Sequence, residues 1–219
     1  MDNDSLPRAF ERIDEGLYRL RIPFEELNTT VYLVLLDGGA ALIDAASDEG
    51  DVVNYVLPAL EKLGIPPEAI KLLLLTHSHG DHAGGLSALR TWIPHAKARS
   101  MTPFDLSDFM LLHDGDLIGG RLEVIHLPGH TEESCGYFDK KTKTLLSGDC
   151  LQLAGVGKYI HGINNRGLYR SSVRRLMNMD ILRIVAAHEY VPLGSIAEGK
   201  GAVRDYLEAC LSLSDGKLQ

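Results

Sequence analysis

The chain of 219 residues is poor in cysteine, has no long apolar run and lacks an excess of basic residues. Its three cysteines form no CxxC pair, which argues against a disulfide framework and favours a reducing compartment. Asp2 and Asp4 lie where an export signal would be basic, so we expect a cytoplasmic protein. The longest apolar runs, such as residues 72–75, are far shorter than the roughly 18 residues of a membrane-spanning helix, so we expect no membrane partner.

The charge balance of the chain is acidic. Lys and Arg number 22 against 30 Asp and Glu, which gives a formal net charge of -8. Nucleic acids are bound by clustered Lys and Arg, so this balance argues against DNA or RNA as a substrate. With 45% hydrophobic and 24% charged residues, the composition is that of an ordinary globular protein. No linker or low-complexity segment divides the chain, and we expect a single domain over residues 1–219.

Apolar periodicity predicts strands and helices that alternate along the chain. In the first half, strands are predicted over residues 17–22, 30–36, 40–43 and 70–75, with a helix over residues 52–63 that Pro58 should kink. In the second half, strands are predicted over residues 121–126, 135–138, 143–146 and 181–186, and helices over residues 166–177 and 197–213. This order predicts an α/β fold in which helices cover the sheets, with the chemistry at strand ends and in the loops after them.

The densest cluster of metal-binding side chains follows the predicted strand 70–75, in the segment Thr-His-Ser-His-Gly-Asp-His that starts at Thr76. His77 and His79 are two residues apart and point the same way on an extended backbone, while Asp81 and His82 come just beyond. Imidazole and carboxylate groups are ligands of zinc and other divalent metals. Chance places such a motif in about one sequence in a thousand of this composition, so the segment indicates a metal site.

Three further ligand-type residues each come directly after a predicted strand. His130 follows Leu-Pro-Gly, Asp149 follows Ser-Gly, and His188 follows the strand over residues 181–186. The four ligands of the histidine-rich segment are too few for two metal ions. All seven together are enough if the two ions share one carboxylate.

In chain order, the HxHxDH segment, the later Pro-Gly-His-Thr histidine, the Gly-Asp aspartate and the final histidine resemble the metallo-β-lactamase-fold hydrolases. The resemblance covers nearly the whole chain and implies a four-layer αβ/βα sandwich, with the site at strand ends between two similar halves. It also implies a role for each ligand: His77, His79 and His130 bind the first metal, Asp81, His82 and His188 bind the second, and Asp149 bridges them. Asp44 matches the family's acidic residue at the end of an early strand, which orients a ligand histidine.

A closer resemblance is to the glyoxalase II and persulfide dioxygenase branch of that family. The segment Gly-Val-Gly-Lys after the bridging aspartate, and Glu-Tyr after His188, are similar to that branch. In glyoxalase II the equivalents of Lys158 and Tyr190 hold the glutathione part of the thioester, so both are candidate substrate contacts. We add His161, because residues 158–165 should overhang the site in this fold. Only 31 residues, 189–219, follow His188, and we expect the further helical domain of glyoxalase II to be missing.

The resemblance implies a hydrolase with two zinc ions, although iron or manganese is compatible with the same ligands. A metal-bridging hydroxide would attack a polarised carbonyl, because coordination lowers the pKa of bound water to about 7. Asp81 and Asp149 are the candidate catalytic residues: Asp81 positions the nucleophile and takes its proton, and Asp149 bridges the metals. The expected substrate is a small acyl compound, a thioester or a lactone or other ester. The sequence leaves the oligomeric state open.

Other functions are compatible with the same ligands. In a mononuclear iron persulfide dioxygenase, His77, His130 and Asp149 would form the two-histidine, one-carboxylate face that binds oxygen-activating iron. A metal-binding module without turnover, such as a regulatory subunit, would also keep the ligands. A di-iron flavoprotein partner fits less well, because that group usually replaces the second histidine of the motif by glutamate, whereas His79 is intact. Metal content separates the hydrolase, with two zinc ions per chain, from the dioxygenase, with one iron.

Overall fold

The computed structural model describes residues 8–25, 27–104, 109–152, 162–189 and 193–214. Its contacts divide the chain into two compact units, Met1–Leu112 and His113–Gln219. Each unit contains one β-sheet and one apolar core. The single domain over residues 1–219 stays a prediction. Within the ranges above, no helix is long and apolar enough to cross a membrane.

The sheet of the first unit has seven strands among the described residues, in the spatial order β1 to β7. They are β1 (Glu11–Asp14), β2 (Leu17–Phe24), β3 (Leu27–Leu36), β4 (Gly39–Ile43), β5 (Ile70–Leu74), β6 (Lys97–Ser100) and β7 (Met110–Leu111). Strands β1 to β4 form an antiparallel meander, and β4 to β7 run parallel. Gly38 makes the turn from β3 to β4 with a left-handed φ of 82°, which glycine adopts without steric cost. The four strands predicted in this half are confirmed.

The predicted helix over residues 52–63 is present but not uniform. The chain forms α1 (Glu49–Asp51), a π-helical turn (Val52–Val56) and α2 (Leu57–Leu63) in succession. Pro58 has no N–H to donate, and its ring crowds the carbonyl four residues earlier in a regular helix. The wider turn directly before it, in which the Leu57 N–H donates to the Val52 carbonyl, relieves that crowding. The irregularity expected at Pro58 is therefore a π turn.

The core of the first unit forms because the strands and the helices each have an apolar face. Leu33 of β3 and Leu42 of β4 are fully buried, and Val56 and Leu60 of the helical segment belong to the same cluster. Each such side chain contributes about 1.5–3 kcal/mol by leaving water. After β5 come the short helix α3 (Gly80–Ala83) and then α4 (Leu86–Trp92), whose Leu89 completes this face.

The sheet of the second unit has six strands among the described residues, in the order β13-β12-β11-β10-β9-β8. These are β8 (Leu117–Ile118), β9 (Leu122–His126), β10 (Cys135–Asp139), β11 (Thr144–Gly148), β12 (Arg183–Ala186) and β13 (Ile196–Glu198). Strands β11 and β12 pair in parallel, and the other pairs are antiparallel. A parallel pair needs a crossover connection, and α5 (Arg166–Met177) lies between β11 and β12 in the chain.

Two helices complete the core of the second unit. Tyr169 and Val173 of α5 and Leu207 of α6 (Lys200–Ser214) are buried in one cluster with strand residues such as Ile184. The predicted start of the last helix at residue 197 is wrong, because residues 196–198 pair with β12 as strand β13. Gly199, with a φ of 87°, then turns the chain into α6. Sheet pairing outweighs the local helical pattern at this point.

The predicted ligands follow strand ends in both units, as expected. In the first unit Asp44 comes directly after β4, and the segment 76–82 follows β5. In the second unit His130, Asp149 and His188 follow β9, β11 and β12. Strands that run in the same direction end at the same edge of a sheet. Strands β4 and β5 are parallel, β11 and β12 are parallel, and β9 has the direction of β11 because both are antiparallel to β10, so each unit gathers its candidate ligands at one edge.

Candidate metal sites

Three imidazole rings lie together in the first unit, at the end of β5. The rings of His77 and His79 meet edge to face with centroids 4.7 Å apart, and the centroids of His77 and His82 are 4.2 Å apart. Helix α3 turns the chain back after His79, whose carbonyl accepts the Ala83 N–H at 2.8 Å. His77 and His82 are buried and His79 is exposed. The motif thus presents three nitrogen ligands at one place.

Asp81 adds a half-buried carboxylate to this set. Its Oδ2 lies 3.3 Å from His82 Nε2. Thr29 of β3 holds the Asp81 backbone, because its hydroxyl donates to the Asp81 carbonyl at 2.9 Å. Two ligands of one tetrahedral metal ion, each about 2.0–2.1 Å from it, lie about 3.3 Å apart. Asp81 and His82 therefore have the separation that two ligands of one ion require.

Asp44 lies beneath these ligands and is fully buried. Its Oδ2 accepts a hydrogen bond from His82 Nδ1 at 2.8 Å, and its Oδ1 accepts the Thr76 N–H at 2.8 Å. The Thr76 hydroxyl lies 3.0 Å from both oxygens and 3.1 Å from His77 Nδ1. A carboxylate only accepts hydrogen bonds, so His82 carries its proton on Nδ1 and presents Nε2 as the ligand atom. Asp44 thus contacts one ligand directly and a second through Thr76.

Close backbone packing holds α3 and the turn after it against the loop that follows β4. Ala45 donates its N–H to the His82 carbonyl at 2.6 Å. A Cβ on Gly84 would lie 2.0 Å from the Ser47 carbonyl oxygen, and one on Gly85 would lie 2.0 Å from that of Ala45. Only glycine leaves room for this approach. The two glycines after the histidine-rich segment therefore allow Asp44 and His82 to meet.

In the second unit, Asp149 lies between two imidazoles. Its Oδ1 is 3.1 Å from His188 Nε2, and its Oδ2 is 3.5 Å from His130 Nε2. All three side chains are buried, with at most 7% of the surface of each residue exposed. These separations are again close to the roughly 3.3 Å between two ligands of one tetrahedral ion. His188 Nε2 is also 3.2 Å from Oδ2, so Oδ2 lies within 3.5 Å of both imidazoles and the carboxylate faces the two rings together.

The orientation of His130 is set by backbone groups. Its Nδ1 donates to the Gly162 carbonyl. A carbonyl accepts and never donates, so this bond leaves Nε2, on the side of Asp149, as the ligand nitrogen. The carbonyl of His130 in turn accepts the Asn164 side-chain amide at 2.5 Å. Gly162 and Asn164 lie in the segment 158–165 that was expected to overhang the site, but neither was named as a site residue.

Apart from Asp44, the residues that orient the candidate ligands were not predicted from the sequence. Thr76 carried a signal, since it is the polar residue between a buried strand and the first histidine. Gly162 acts through its backbone carbonyl, which a residue name does not reveal. The predicted substrate contacts Lys158, His161 and Tyr190 lie outside the described residues. Cys150, which follows Asp149 in the chain, is a buried thiol.

The sequence of the chain matches a known protein family. Residues 25–188 match the Metallo-beta-lactamase superfamily. A hydroxyacylglutathione hydrolase of Aeromonas hydrophila is 37% identical over 139 residues, which are 61% of this chain and 53% of that protein. The chain thus spans about half the length of this relative.

Solved structures show the same fold. A flavoprotein from Thermotoga maritima matches with a TM-score of 0.76 and 19% identity over 95% of this chain and 61% of its own. A metallo-beta-lactamase family protein from Thermus thermophilus matches with a TM-score of 0.73 and 21% identity over 94% of this chain and 81% of its own. The α/β metallo-β-lactamase fold expected from the sequence is therefore confirmed.

Proposed function

The chain belongs to the metallo-beta-lactamase superfamily, and from this membership and its candidate ligands we propose that the protein is a binuclear metal-dependent hydrolase of small acyl compounds. The proposed substrate is a thioester or a lactone or other ester. The proposed metals are two zinc ions, with iron or manganese as substitutes. The proposed ligands of the first ion are His77, His79 and His130, those of the second are Asp81, His82 and His188, and Asp149 bridges.

The observation that carries the proposal is the separation of ligand atoms within each unit. Asp81 and His82 have ligand atoms 3.3 Å apart in the first unit. In the second unit the Asp149 carboxylate lies 3.1 and 3.2 Å from His188 Nε2 and 3.5 Å from His130 Nε2. The donor set consists of imidazole nitrogens and carboxylate oxygens, which zinc binds in proteins. The residues present therefore fit divalent metal ions.

The orienting contacts also support metal binding. A metal-binding histidine usually donates its other N–H to a carboxylate or a backbone carbonyl, which fixes the tautomer. His82 donates to Asp44, and His130 donates to the Gly162 carbonyl. Both contacts turn a neutral imidazole so that Nε2 is the ligand. This is the tautomer that a divalent metal needs.

Divalent ions held by these histidines and aspartates would lower the pKa of bound water and would polarise a substrate carbonyl. Two carboxylates of the protein, Asp81 and Asp149, are proposed to assist this reaction. Asp81 is half-buried and keeps access to water, so it is placed to position the nucleophile and accept its proton. Asp149 is buried between His130 and His188, so its carboxylate is placed to bind metal together with these imidazoles.

The substrate class is proposed from a named relative and from the net charge of the chain. The relative from Aeromonas hydrophila is by name a hydrolase of hydroxyacylglutathione, a thioester, and a metal-activated nucleophile of the kind proposed here is able to cleave such a bond. The net charge of -8 argues against nucleic acid. Contacts of Lys158, His161 and Tyr190 with the substrate are part of this proposal, as is the cytoplasmic location.

Metal analysis combined with a hydrolysis screen tests the proposal. Protein purified without added metal should contain about two zinc ions per chain and should hydrolyse members of a panel of thioesters and lactones. One iron per chain, with oxygen consumption on a persulfide and no hydrolysis, would replace this function by that of a dioxygenase. Absence of both bound metal and turnover would refute it. Two bound metals without turnover on any substrate would favour a metal-binding module.

A histidine pair in the second unit provides the matched variants. His130→Ala removes a proposed ligand, and we expect it to lose metal and activity. The control His126→Ala removes a histidine four residues earlier. In the described part of the chain, its Nε2 bonds to the Glu132 backbone carbonyl at 2.7 Å and not to a candidate ligand. The control should keep its metal. Equal metal content in both variants would contradict the ligand assignment.

A further inference from the structure

A buried tyrosine hydroxyl lies beneath the loop that carries Asp149. Tyr169 of α5 has no exposed surface. Its hydroxyl donates to the Gln152 carbonyl at 3.0 Å and accepts the Gln152 N–H at 2.9 Å. Burial raises the pKa of Tyr169 well above its usual value, so the hydroxyl keeps the proton that it donates. Both backbone groups of Gln152, three residues after Asp149, are therefore fixed by one side chain.

The side chain of Gln152 contacts Asp149, the candidate ligand. Its Nε2 donates to the Asp149 carbonyl at 2.9 Å, and the residue is only 4% exposed. Its amide group also packs against Gly162, where a Cβ would lie 2.8 Å from the Gln152 side chain. Gly162 is the residue whose carbonyl accepts the His130 Nδ1–H. One glutamine amide thus supports the loops that hold two candidate ligands.

Tyr169 supports His130 by a second route. Gly129 has a φ of 142°, and a Cβ on it would lie 2.5 Å from the Tyr169 Cα. The Gly129 carbonyl accepts the N–H groups of Asn164 and Asn165 at 2.8 and 2.9 Å. The turn before His130 is therefore packed directly on the first turns of α5.

We propose that Tyr169 and Gln152 are positioning residues that hold Asp149 and His130 at the separation required for metal binding. The inference rests on the proposed function, in which Asp149 and His130 are ligands. A ligand that already lies where the metal needs it loses little conformational entropy on binding. Loss of the Tyr169 hydroxyl would leave two buried backbone groups of Gln152 unpaired, and the Asp149 loop would shift to pair them.

Metal affinity, rather than activity, tests this inference. The variants are Tyr169→Phe, which removes only the hydroxyl, and Gln152→Met, which removes only the amide at nearly constant volume. The control is Tyr206→Phe: Tyr206 is also buried, and burial together with the charge of Asp149 helps to raise its pKa, but its hydroxyl bonds to the Gly194 carbonyl at 3.5 Å and not to Gln152. Zinc dissociation constants are measured by competition with a chromophoric chelator, and the visible spectrum of the cobalt-loaded protein reports the ligand geometry.

Both test variants should bind zinc about 10- to 100-fold more weakly than the unaltered protein, with an altered cobalt spectrum. Tyr206→Phe should differ from it by less than about twofold. Circular dichroism of each variant establishes that it is folded, and Gln152→Met still tests the inference if Tyr169→Phe is not. Unaltered zinc affinity and cobalt spectrum in the folded test variants would overturn the positioning role alone. Failure of the unaltered protein to bind zinc would overturn the proposed function and this inference together.

Discussion

Replacement of Asp44 by asparagine tests how the first unit selects the ligand nitrogen of His82. Asp44 has a left-handed φ of 64°, a conformation that asparagine tolerates nearly as well as aspartate. The amide oxygen can still accept the Thr76 N–H. The amide nitrogen, however, faces His82 Nδ1, 2.8 Å from the replaced oxygen, and it donates instead of accepting. His82 must then move its proton to Nε2, the atom proposed to bind metal.

The expected magnitudes follow from the contact that is lost. A hydrogen bond to a buried carboxylate contributes about 1.5–3 kcal/mol, so Asp44→Asn should lower the free energy of unfolding of the metal-depleted protein by about that amount. Loss of the group that orients a metal-binding histidine typically weakens metal binding by about 10- to 100-fold. The variant should therefore fold and bind zinc weakly.

Guanidinium unfolding and zinc competition with a chelator measure the two effects separately. The matched control is Asp139→Asn, a fully buried aspartate of the second unit that pairs with Arg121 and accepts the Thr142 hydroxyl at 3.0 Å. It should lose a comparable amount of stability and keep its zinc affinity. Zinc affinity at the original level in Asp44→Asn, or an equal loss in Asp139→Asn, would refute the orienting role of Asp44.

Two further predictions concern packing and alkaline stability. Gly84→Ala places a Cβ 2.0 Å from the Ser47 carbonyl oxygen and should lower the free energy of chemical unfolding by about 3 kcal/mol. In the control Gly80→Ala the new Cβ has no atom within 4 Å, and the free energy of unfolding should change by less than about 1 kcal/mol. Equal effects of the two substitutions would contradict this packing. Burial raises the pKa of the Cys210 thiol from 9.0 to about 12. The buried neutral thiol stabilises the folded protein fully below about pH 9, and this contribution is lost as the pH rises towards 12. Cys210→Ala should therefore flatten the fall in the free energy of unfolding above about pH 9. An unchanged slope would contradict this role of Cys210.

Local pattern was enough to predict most of the fold. The strands around residues 17–22, 30–36 and 70–75 are apolar runs or alternations, and these are local properties of the chain. The edge strand β13 was interpreted as the start of a helix, because Ala197 and its neighbours form a strand only by pairing with β12. Strands β1, β6, β7 and β8 were also not predicted, since they are only two to four residues long.

The identity of the candidate ligands was readable from residue type and from position after predicted strands. Imidazole and carboxylate groups carry their coordination chemistry wherever they lie, so His77 and Asp149 could be named without coordinates. Which nitrogen of His82 and of His130 is the candidate ligand atom was decided only by tertiary structure. That choice depends on contacts of His82 with Asp44, 38 residues apart, and of His130 with the Gly162 carbonyl, 32 residues apart. Such contacts exist only after each sheet has formed, because the strands bring together groups that the chain separates.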